Sequence, residues 1–542
     1  MPAIRDSARP VIPLRALLLA AVATAGAGRA AAQTVLPDTG TTVEIGSLRQ
    51  QLEGLLAIGT GGTPAQPGWT VVPSITASQG WSNTGGTGNS SSSWYTLLTP
   101  AVLVSANTAR LQGTLNYAPV ARISESQSGQ DQIGQHLNTS TLVTILPEQL
   151  FLRLQGFASQ QATSGGLGPV NTVDLTRQNT TQSYSGIATP YLRERFGELG
   201  TAELGGSYSY TEQNSEANHG VPALNDNTTT TQEYLAFTSG TALERFSINS
   251  LASAKQMDGT GVTSNARRDV ATVEGGYAIT RNITALVKAG YEDIHYSGAT
   301  PYNVNDAVWS VGTRLTPNPD STITLRYGHQ DGINSATLDA SYAPTASTRL
   351  YARYSDGLMT ALENLQAAVA ASELDPLGNP VDPTTGAPLL LTNNFFGTQS
   401  NQALYRTKRG SVTGTLLRDR DTFSVTGSYQ SRTPLTSTTG STTTTTSEGV
   451  YGSFSWSHNI SESFTSLAYI QYGTNSSTAA QAQPAGLTNK KQTTDSLVTS
   501  VALRYAFSES LYGSVQYSYT SQFAASGSTP TNLVLVTVRK IF

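Results

Sequence analysis

Histidine is the first residue type to examine for catalysis, because its side chain exchanges protons near neutral pH. The chain has five histidines, and His329 is followed closely by a carboxylate, Asp331, in the stretch "YGHQDG". Neither a Gly-x-Ser-x-Gly elbow nor a His-Glu-x-x-His pair accompanies it. We therefore expect a protein that is not an enzyme and needs no metal or cofactor. A hydrolase built on His329 is the minor alternative.

Arginine and tyrosine suggest a binding chemistry instead, since they recur on the polar side of short alternating segments. Guanidinium groups bind carboxylates, and tyrosine offers a flat face to a sugar ring. On one shared wall, these residues would line a path for an anionic or neutral glycan. The alternative is that the charges only pair with one another and keep the wall wet. The candidate lining residues are Arg110, Arg122, Arg153, Glu274, Lys288, Arg314, Arg326, Arg349, Tyr351, Arg353, Arg504 and Tyr512.

The composition excludes several classes of protein. Charged residues make up 13% of the 542 residues, against roughly 25% in typical soluble domains. The net charge of -4 argues against a nucleic-acid-binding protein, which would carry an excess of basic residues. The absence of cysteine excludes disulfides and thiolate metal sites. After the N-terminus, no apolar run is long enough for a membrane-spanning helix.

The N-terminus has the pattern of a secretory signal peptide. Three arginines, at positions 5, 9 and 15, precede an apolar stretch from Ala16 to Ala25, and small residues follow at Ala30 to Ala32. This order of charged, apolar and small residues predicts cleavage after Ala32, with residues 1–32 removed.

From about Trp69 onward, segments of about ten residues alternate apolar with polar positions, the period of a β-strand. In "STITLRYGHQ", Ile323 and Leu325 lie on one face and Thr324 and Arg326 on the other. Short breaks alternate with long polar ones, such as 160–181 and 473–492. This spacing predicts an all-β, transmembrane, antiparallel up-and-down β-barrel of about 22 strands (range roughly 18–24) over residues 68–542. Its periplasmic turns would be short and its extracellular loops long.

Closure of the barrel explains the apolar C-terminus "TNLVLVTVRKIF". An unpaired amide in hydrocarbon costs several kcal/mol, so the last strand must pair with the first. Tyrosines and tryptophans at strand ends would form the interfacial girdles: Trp94, Tyr95, Trp456, Tyr469, Tyr472, Tyr517 and Tyr519. A soluble propeller or a stack of sandwiches is the alternative. A propeller would show a repeat of about 40–50 residues, which is not found here, and sandwiches do not keep long loops on one side.

Two segments depart from the strand pattern. Residues 33–67 contain "EIGSLRQQLEGLLAIG", whose apolar positions share a helical face and suggest a periplasmic or plug-like segment. The longest loop, 359–401, begins within "DGLMTALENLQAAVAASELDP", where Leu358, Leu362, Leu365 and Val369 recur at helical spacing. We interpret each as a short covering helix or as a gate.

Several stretches resemble the β-barrel porin 2 family, which includes outer-membrane proteins associated with the exosortase (PEP-CTERM) system. They are "PSITASQGWSNT", "DQIGQHLNTSTLVTILPEQLFLRLQGFASQQ" and "LYRTKRGSVTGTLLRDRDTFSVTGSY". The final residue, Phe542, resembles the C-terminal signal that the outer-membrane barrel assembly machinery reads. The resemblance covers nearly the whole mature chain and implies a Gram-negative outer-membrane protein linked to exopolysaccharide export.

We therefore expect a channel or porin in the bacterial outer membrane that takes part in exopolysaccharide export. The expected partners are outer-membrane lipid and lipopolysaccharide, the assembly machinery, polysaccharide export components and a glycan. Two alternatives remain open: a general diffusion porin for small solutes, and a non-conducting structural or adhesin-like barrel.

Overall fold

The computed structural model describes residues 68–85, 91–125, 131–162, 175, 180–215, 224–364, 373–374, 380–381, 403–437, 445–483, 486–524 and 527–542. The predicted signal peptide (1–32), the N-terminal segment (33–67) and most of the 359–401 loop lie outside this set. Among the described residues, no helix combines the length and apolar character needed to cross a membrane.

The described chain is one closed antiparallel barrel of 22 strands, as the alternation predicted. Strands β3 and β4 are each interrupted by two residues. The strands are β1 (Gly68–Thr84), β2 (Ser91–Asn107), β3 (Leu111–Tyr117 and Val120–Ser124), β4 (Gln132–Gly134 and Leu137–Leu146), β5 (Leu150–Ala162), β6 (Thr180–Arg195), β7 (Gly200–Ser215), β8 (Leu224–Ser239), β9 (Phe246–Gly259), β10 (Ala266–Thr280), β11 (Ile283–Tyr296), β12 (Tyr302–Leu315), β13 (Thr322–Gln330), β14 (Ile333–Thr345), β15 (Thr348–Met359), β16 (Ala403–Arg418), β17 (Asp421–Ser437), β18 (Thr445–Asn459), β19 (Phe464–Gln483), β20 (Gly486–Ser508), β21 (Leu511–Ala524) and β22 (Gly527–Ile541).

The first and last strands close the sheet. β22 pairs with β1 from Ser74 opposite Ile541 to Thr84 opposite Thr531. The backbone N–H of Phe542 then donates to the Pro73 carbonyl at 2.9 Å. Because the ladder is continuous, the barrel hides the backbone polar groups of its terminal strands without a free edge.

The distribution of apolar side chains is inverted relative to a soluble protein. On β17, Val425 is 56% exposed on the outer face while its neighbour Ser424 is 6% exposed on the inner face. The same contrast holds for outward Val273, Val287 and Val311 against inward serines and threonines such as Ser74 and Ser310. An exposed apolar band of this kind matches lipid, not water.

The predicted girdle is correct at several positions and wrong at Tyr95 and Tyr469. Trp94 points outward and is 50% exposed, but Tyr95 points into the barrel and is 3% exposed. Tyr469 also lies on the inner side, where it packs against Val498. Adjacent strand residues face opposite sides, so Trp94 and Tyr95 cannot both reach the interface.

Several predicted long loops are shorter than expected, because the strands continue past the apolar band. The expected break 473–492 is a hairpin whose strands reach Gln483 and restart at Gly486. These extensions are rich in serine and threonine. Beyond the lipid both faces meet water, so a strand persists there without apolar alternation.

One outer hairpin is especially tight. Asp331 and Gly332 join β13 to β14 with φ of 62° and 67°. Two successive positive φ values fit the two-residue turn that Asp-Gly favours, because the turn's twist matches that of the strands. This hairpin is short, and it leaves the upper ends of β12 and β15 without a strand between them.

Candidate functional site: the inner wall of the barrel

The structure places eleven of the twelve candidate lining residues on the inner face. Their neighbours in the ladder are inward serines and threonines, as Thr337 is for Arg326 and Thr413 for Tyr351. Arg110 is the exception. It lies in the turn between β2 and β3 and is exposed, because the strand ends before it. Whether the inward set forms a solute path stays a prediction.

Basic side chains concentrate on the inner wall next to the short turns, the end that faces the periplasm in outer-membrane barrels. Among the described wall residues of that half, ten basic side chains face three carboxylates, Glu203, Glu274 and Asp339, an excess of seven. We call these ten residues the basic belt: Arg153, Arg193, Arg195, Lys288, Arg314, Arg326, Arg349, Arg353, Arg504 and Arg539.

The three carboxylates of this half are all paired with belt arginines. Arg326 binds Glu274 through Nε at 2.8 Å and Nη2 at 3.0 Å. Arg353 binds Asp339 at 3.0 Å. Both members of this second pair are largely exposed, 71% and 60%, although they face inward. The barrel interior is therefore open and wet at the height of Arg353.

The third pair belongs to an aromatic cluster on β5 to β8. Arg193 binds Glu203 at 3.1 Å, and the Tyr234 hydroxyl donates to the same carboxylate at 2.7 Å. The guanidinium carbons of Arg193 and Arg153 both lie 5.5 Å from the ring centre of Tyr191. Aromatic faces hold these cations at fixed positions on the wall.

Other predicted residues have defined partners. Arg122 is buried and lies 4.5 Å over the inward ring of Tyr95. Lys288 donates to the Gln330 side chain at 2.7 Å. Neither Arg314 nor Arg349 lies within ion-pair distance of a described carboxylate, so both guanidiniums are available to solutes.

The wall of the outer half carries an apolar cluster, in contrast to the basic wall next to the short turns. No ladder joins the upper part of β12 to that of β15 above the Asp331–Gly332 turn in the described chain. Side chains close this gap. The upper hydrophobic cluster consists of Met257, Val262, Ala266, Ile294, Tyr296, Leu358 and Leu404, with Tyr302, Val304 and Leu435 packed against it.

Asp331 connects the elements around this gap. Its carboxylate contacts Arg268 on β10 and accepts from the backbone N–H of Leu358 at 3.3 Å. Its carbonyl accepts from the Tyr302 hydroxyl at 2.9 Å. Glu292, fully buried, accepts from the Gly332 N–H at 2.9 Å. The tight hairpin is thereby fixed to the inner wall.

The start of the longest loop folds into this packed region. Residues 361–364 are helical, and Leu362 is 2% exposed. Thr360 and Glu363 form a reciprocal cap: Glu363 Oε2 accepts from the Thr360 N–H at 3.0 Å, and Thr360 Oγ1 from the Glu363 N–H at 3.3 Å. The predicted helix therefore begins after Thr360. Leu358 belongs to β15, and Leu365 and Val369 lie outside the described residues.

An ion pair ties this helical turn to the barrel wall. Lys255 Nζ on β9 lies 2.6 Å from Glu363 Oε1. Burial alone would raise the pKa of the Glu363 carboxyl, but Lys255, the Thr360 N–H and Arg268 outweigh it and lower that pKa to about 2. The carboxylate is therefore charged at every physiological pH.

The possible hydrolase residues do not come together. His329 contacts Asn334 through Nδ1 at 2.8 Å and Asp306 through Nε2 at 3.2 Å, whereas Asp331 binds Arg268. Among the residues that the structure describes, no cluster of three or more His, Cys, Asp or Glu could hold a metal ion.

Sequence reasoning missed several wall residues. Arg539 follows the same alternation as buried Leu533 and could have been assigned inward from its position in "LVLVTVRKIF". Arg193 and Glu203 also lie at the inward positions of the alternation in their strands. Arg268 could not have been found this way, because its partner Asp331 lies on another hairpin, 63 residues along the chain.

Comparisons with known proteins bear on the fold. No family model matches the chain, and no curated protein matches its sequence. Among solved structures, the FrpB iron transporter from Neisseria meningitidis matches in its F5-1 variant with a TM-score of 0.50 and 9% identity, over 91% of this chain and 83% of that one. Its F3-3 variant matches with a TM-score of 0.50 and 10% identity, over 90% and 83%. The shared architecture is that of an outer-membrane β-barrel.

Proposed function

We propose that the protein is an outer-membrane channel of a Gram-negative bacterium that passes an anionic or neutral glycan during exopolysaccharide export. The observation that carries the proposal is the basic belt. A wall with seven more cations than carboxylates attracts polyanions to the periplasmic mouth, and the low dielectric of the surrounding wall strengthens that field.

The two halves of the wall differ in a way that supports a controlled passage. Arg353 and Asp339 are exposed in the half next to the short turns, whereas the upper hydrophobic cluster and the helical turn 361–364 lie in the outer half. Movement of the loop start away from Lys255 would widen the outer half. The 359–401 loop would then act as the gate.

Planar-bilayer recordings test the channel and its charge. The full mature chain should conduct and prefer anions, because the belt excess repels cations. Arg326→Ala combined with Arg353→Ala should shift the reversal potential towards cation preference, since Glu274 and Asp339 lose their partners. Cation selectivity in the wild type, unchanged by these substitutions, would exclude an anionic path.

Secretion of polymer tests the cargo. Deleting the gene should reduce extracellular polysaccharide, and the wild-type gene should restore it. A conducting protein whose loss leaves polymer secretion unchanged would be a general diffusion porin.

The contacts of the outer half favour one further candidate, a non-conducting structural barrel. The Asp331–Arg268 contact and the Lys255–Glu363 pair tie the tight hairpin and the start of the long loop to the barrel wall. Absence of current in both the wild type and Glu363→Gln would support this candidate over the channel.

A further inference from the structure

Two belt arginines meet a tyrosine at the seam where the barrel closes. Arg504 on β20 and Arg539 on β22 flank Tyr512 on β21, and all three face the lumen. Tyr512 lies directly opposite Arg539, which in turn lies opposite Thr76 on β1. Arg504 lies opposite Ser514, one inward position away from Tyr512. We call Arg504, Tyr512, Arg539 and Ser74 the seam site.

The two guanidiniums of the seam site are held in place but lack an anion. The guanidinium carbon of Arg504 lies 4.7 Å from the ring centre of Tyr512, whose hydroxyl donates to the Glu509 carbonyl at 2.9 Å. Arg539 Nη2 reaches Ser74 Oγ at 3.5 Å. Arg539 Nε is buried and has no hydrogen-bond partner. No described carboxylate lies within ion-pair distance of either arginine.

This arrangement is costly without a ligand. A buried donor left without an acceptor is unfavourable, and the two cations, on β20 and β22 on either side of Tyr512, repel each other. A carboxylate would relieve both costs, because its two oxygens match the planar fork of a guanidinium. The other belt arginines with carboxylate partners, such as Arg326, show this same pairing.

We propose that the seam site binds the carboxylate of a uronic acid unit as an acidic polysaccharide enters from the periplasmic side. Arg539 Nε and the Arg504 guanidinium would donate to the carboxylate, and the Tyr512 ring would fix Arg504 in position. This inference rests on the proposed function and narrows its cargo to carboxylated glycans. Inorganic phosphate has the same charge type but a tetrahedral shape, and serves as the competing oxyanion.

Binding of an oligogalacturonate tests the proposal directly. The full mature chain in detergent is titrated by calorimetry with a galacturonate hexamer, with a neutral glucan hexamer and with inorganic phosphate. We expect binding of the galacturonate alone, weakened by salt. Arg504→Gln combined with Arg539→Gln should weaken it about tenfold or more, because hydrogen bonds to charged groups are lost.

A matched variant separates the seam site from the general field of the belt. Arg314→Gln combined with Arg349→Gln removes the same charge from β12 and β15, about a third of the way round the barrel. It should weaken binding by less than about threefold, because it removes only the long-range attraction between the belt and the polyanion, which salt screens. Equal losses in the two double variants, equal binding of phosphate, or no binding by the wild type would each overturn the seam site.

The outcomes also separate this inference from the proposed function, because calorimetry does not require conduction. Current without galacturonate binding would overturn the seam site and leave the channel intact. Galacturonate binding without current would overturn the channel and leave the seam site. Circular dichroism melts of both double variants check that each barrel is folded.

Discussion

At the residue scale, charge pairs on the inner wall differ in how much they contribute. Arg326 and Glu274 are joined by two hydrogen bonds and are mostly covered, with exposures of 29% and 14%. Arg353 and Asp339 are exposed and solvated. Water weakens the second pair, since exposed ion pairs typically contribute about 0–1 kcal/mol.

The Arg326–Glu274 pair should therefore show coupling in a double-mutant cycle. We expect Arg326→Ala to lower the free energy of unfolding by about 1–3 kcal/mol, because the half-buried Glu274 loses its donors. Adding Glu274→Ala should restore part of that loss. Urea unfolding in lipid vesicles measures these free energies. The cycle at Arg353 and Asp339 is the control and should give a coupling near zero; equal couplings would contradict the difference in exposure.

Glu363 gives the outer half a defined pH dependence. Its pKa falls from 4.5 to about 2 on folding, so its contribution is complete above pH 4.5 and is lost as pH falls towards 2. The cationic groups facing it are Lys255 and Arg268.

We expect the open probability of wild-type channels to rise between pH 4.5 and 2, as the Lys255–Glu363 contact is lost. Glu363→Gln should raise the open probability at pH 7 and abolish the pH dependence in that window. Single-channel recording measures both. Asp339→Asn, a wall carboxylate away from the loop, is the control; the same loss of pH dependence in that variant would exclude Glu363 as the titrating group.

At the element scale, consecutive side chains of each strand alternate between a face towards lipid and a face towards water. Val273 on β10 is 51% exposed on the outside, and Thr272 beside it faces the lumen. Alternation is enforced by the pleat, so each side chain has only one environment available.

This separation predicts unequal costs for the same substitution. Val273→Arg should lower the free energy of unfolding by about 2–4 kcal/mol, because a guanidinium near the middle of the lipid face must be desolvated. Thr272→Arg, its neighbour, should cost little since it enters a wet lumen. Unfolding in lipid vesicles compares them, and equal costs would contradict the assignment of faces.

The C-terminal strand closes the barrel, whereas the side chain of the final residue is exposed. β22 pairs with β1 along eleven positions, whereas the Phe542 side chain is 72% exposed. Because the ring packs against little, stability does not account for an aromatic residue there.

We therefore expect Phe542→Ala to leave the stability of refolded protein unchanged and to lower its amount in the outer membrane of cells. The reason is that the ring would be read by the assembly machinery and not by the fold. Quantitative blotting of membrane fractions measures the amount, and vesicle unfolding measures stability. Unchanged amounts in cells would remove the role of Phe542 as an assembly signal.

At the scale of the whole molecule, the barrel is asymmetric along its axis. The half next to the short turns has a basic wall, and the outer half carries the upper hydrophobic cluster and the Asp331 contacts. In the proposed function, a polymer moving outward would meet the belt before the upper hydrophobic cluster.

The sequence by itself determined the barrel and the face of nearly every wall residue. Alternation with a period of two is a local property, and closure follows because lipid offers no hydrogen bonds to an edge. These rules placed Arg326, Arg353 and Arg504 inward without any knowledge of the fold. They failed at Arg110 and at 473–492, because strand ends are not marked by apolar alternation: β2 ends before Arg110, and the strands at 473–492 continue past the apolar band.

Only the tertiary structure decided which inward residues meet around the circumference. Arg268 and Asp331, Lys255 and Glu363, and Arg504 and Arg539 are brought together by ladder register and by the inward fold of the loop start. Such contacts depend on the stagger of strands that are far apart in the chain, and one residue of slip would reverse every face. The inward face of these residues was therefore readable from the chain, whereas the contacts between them were not.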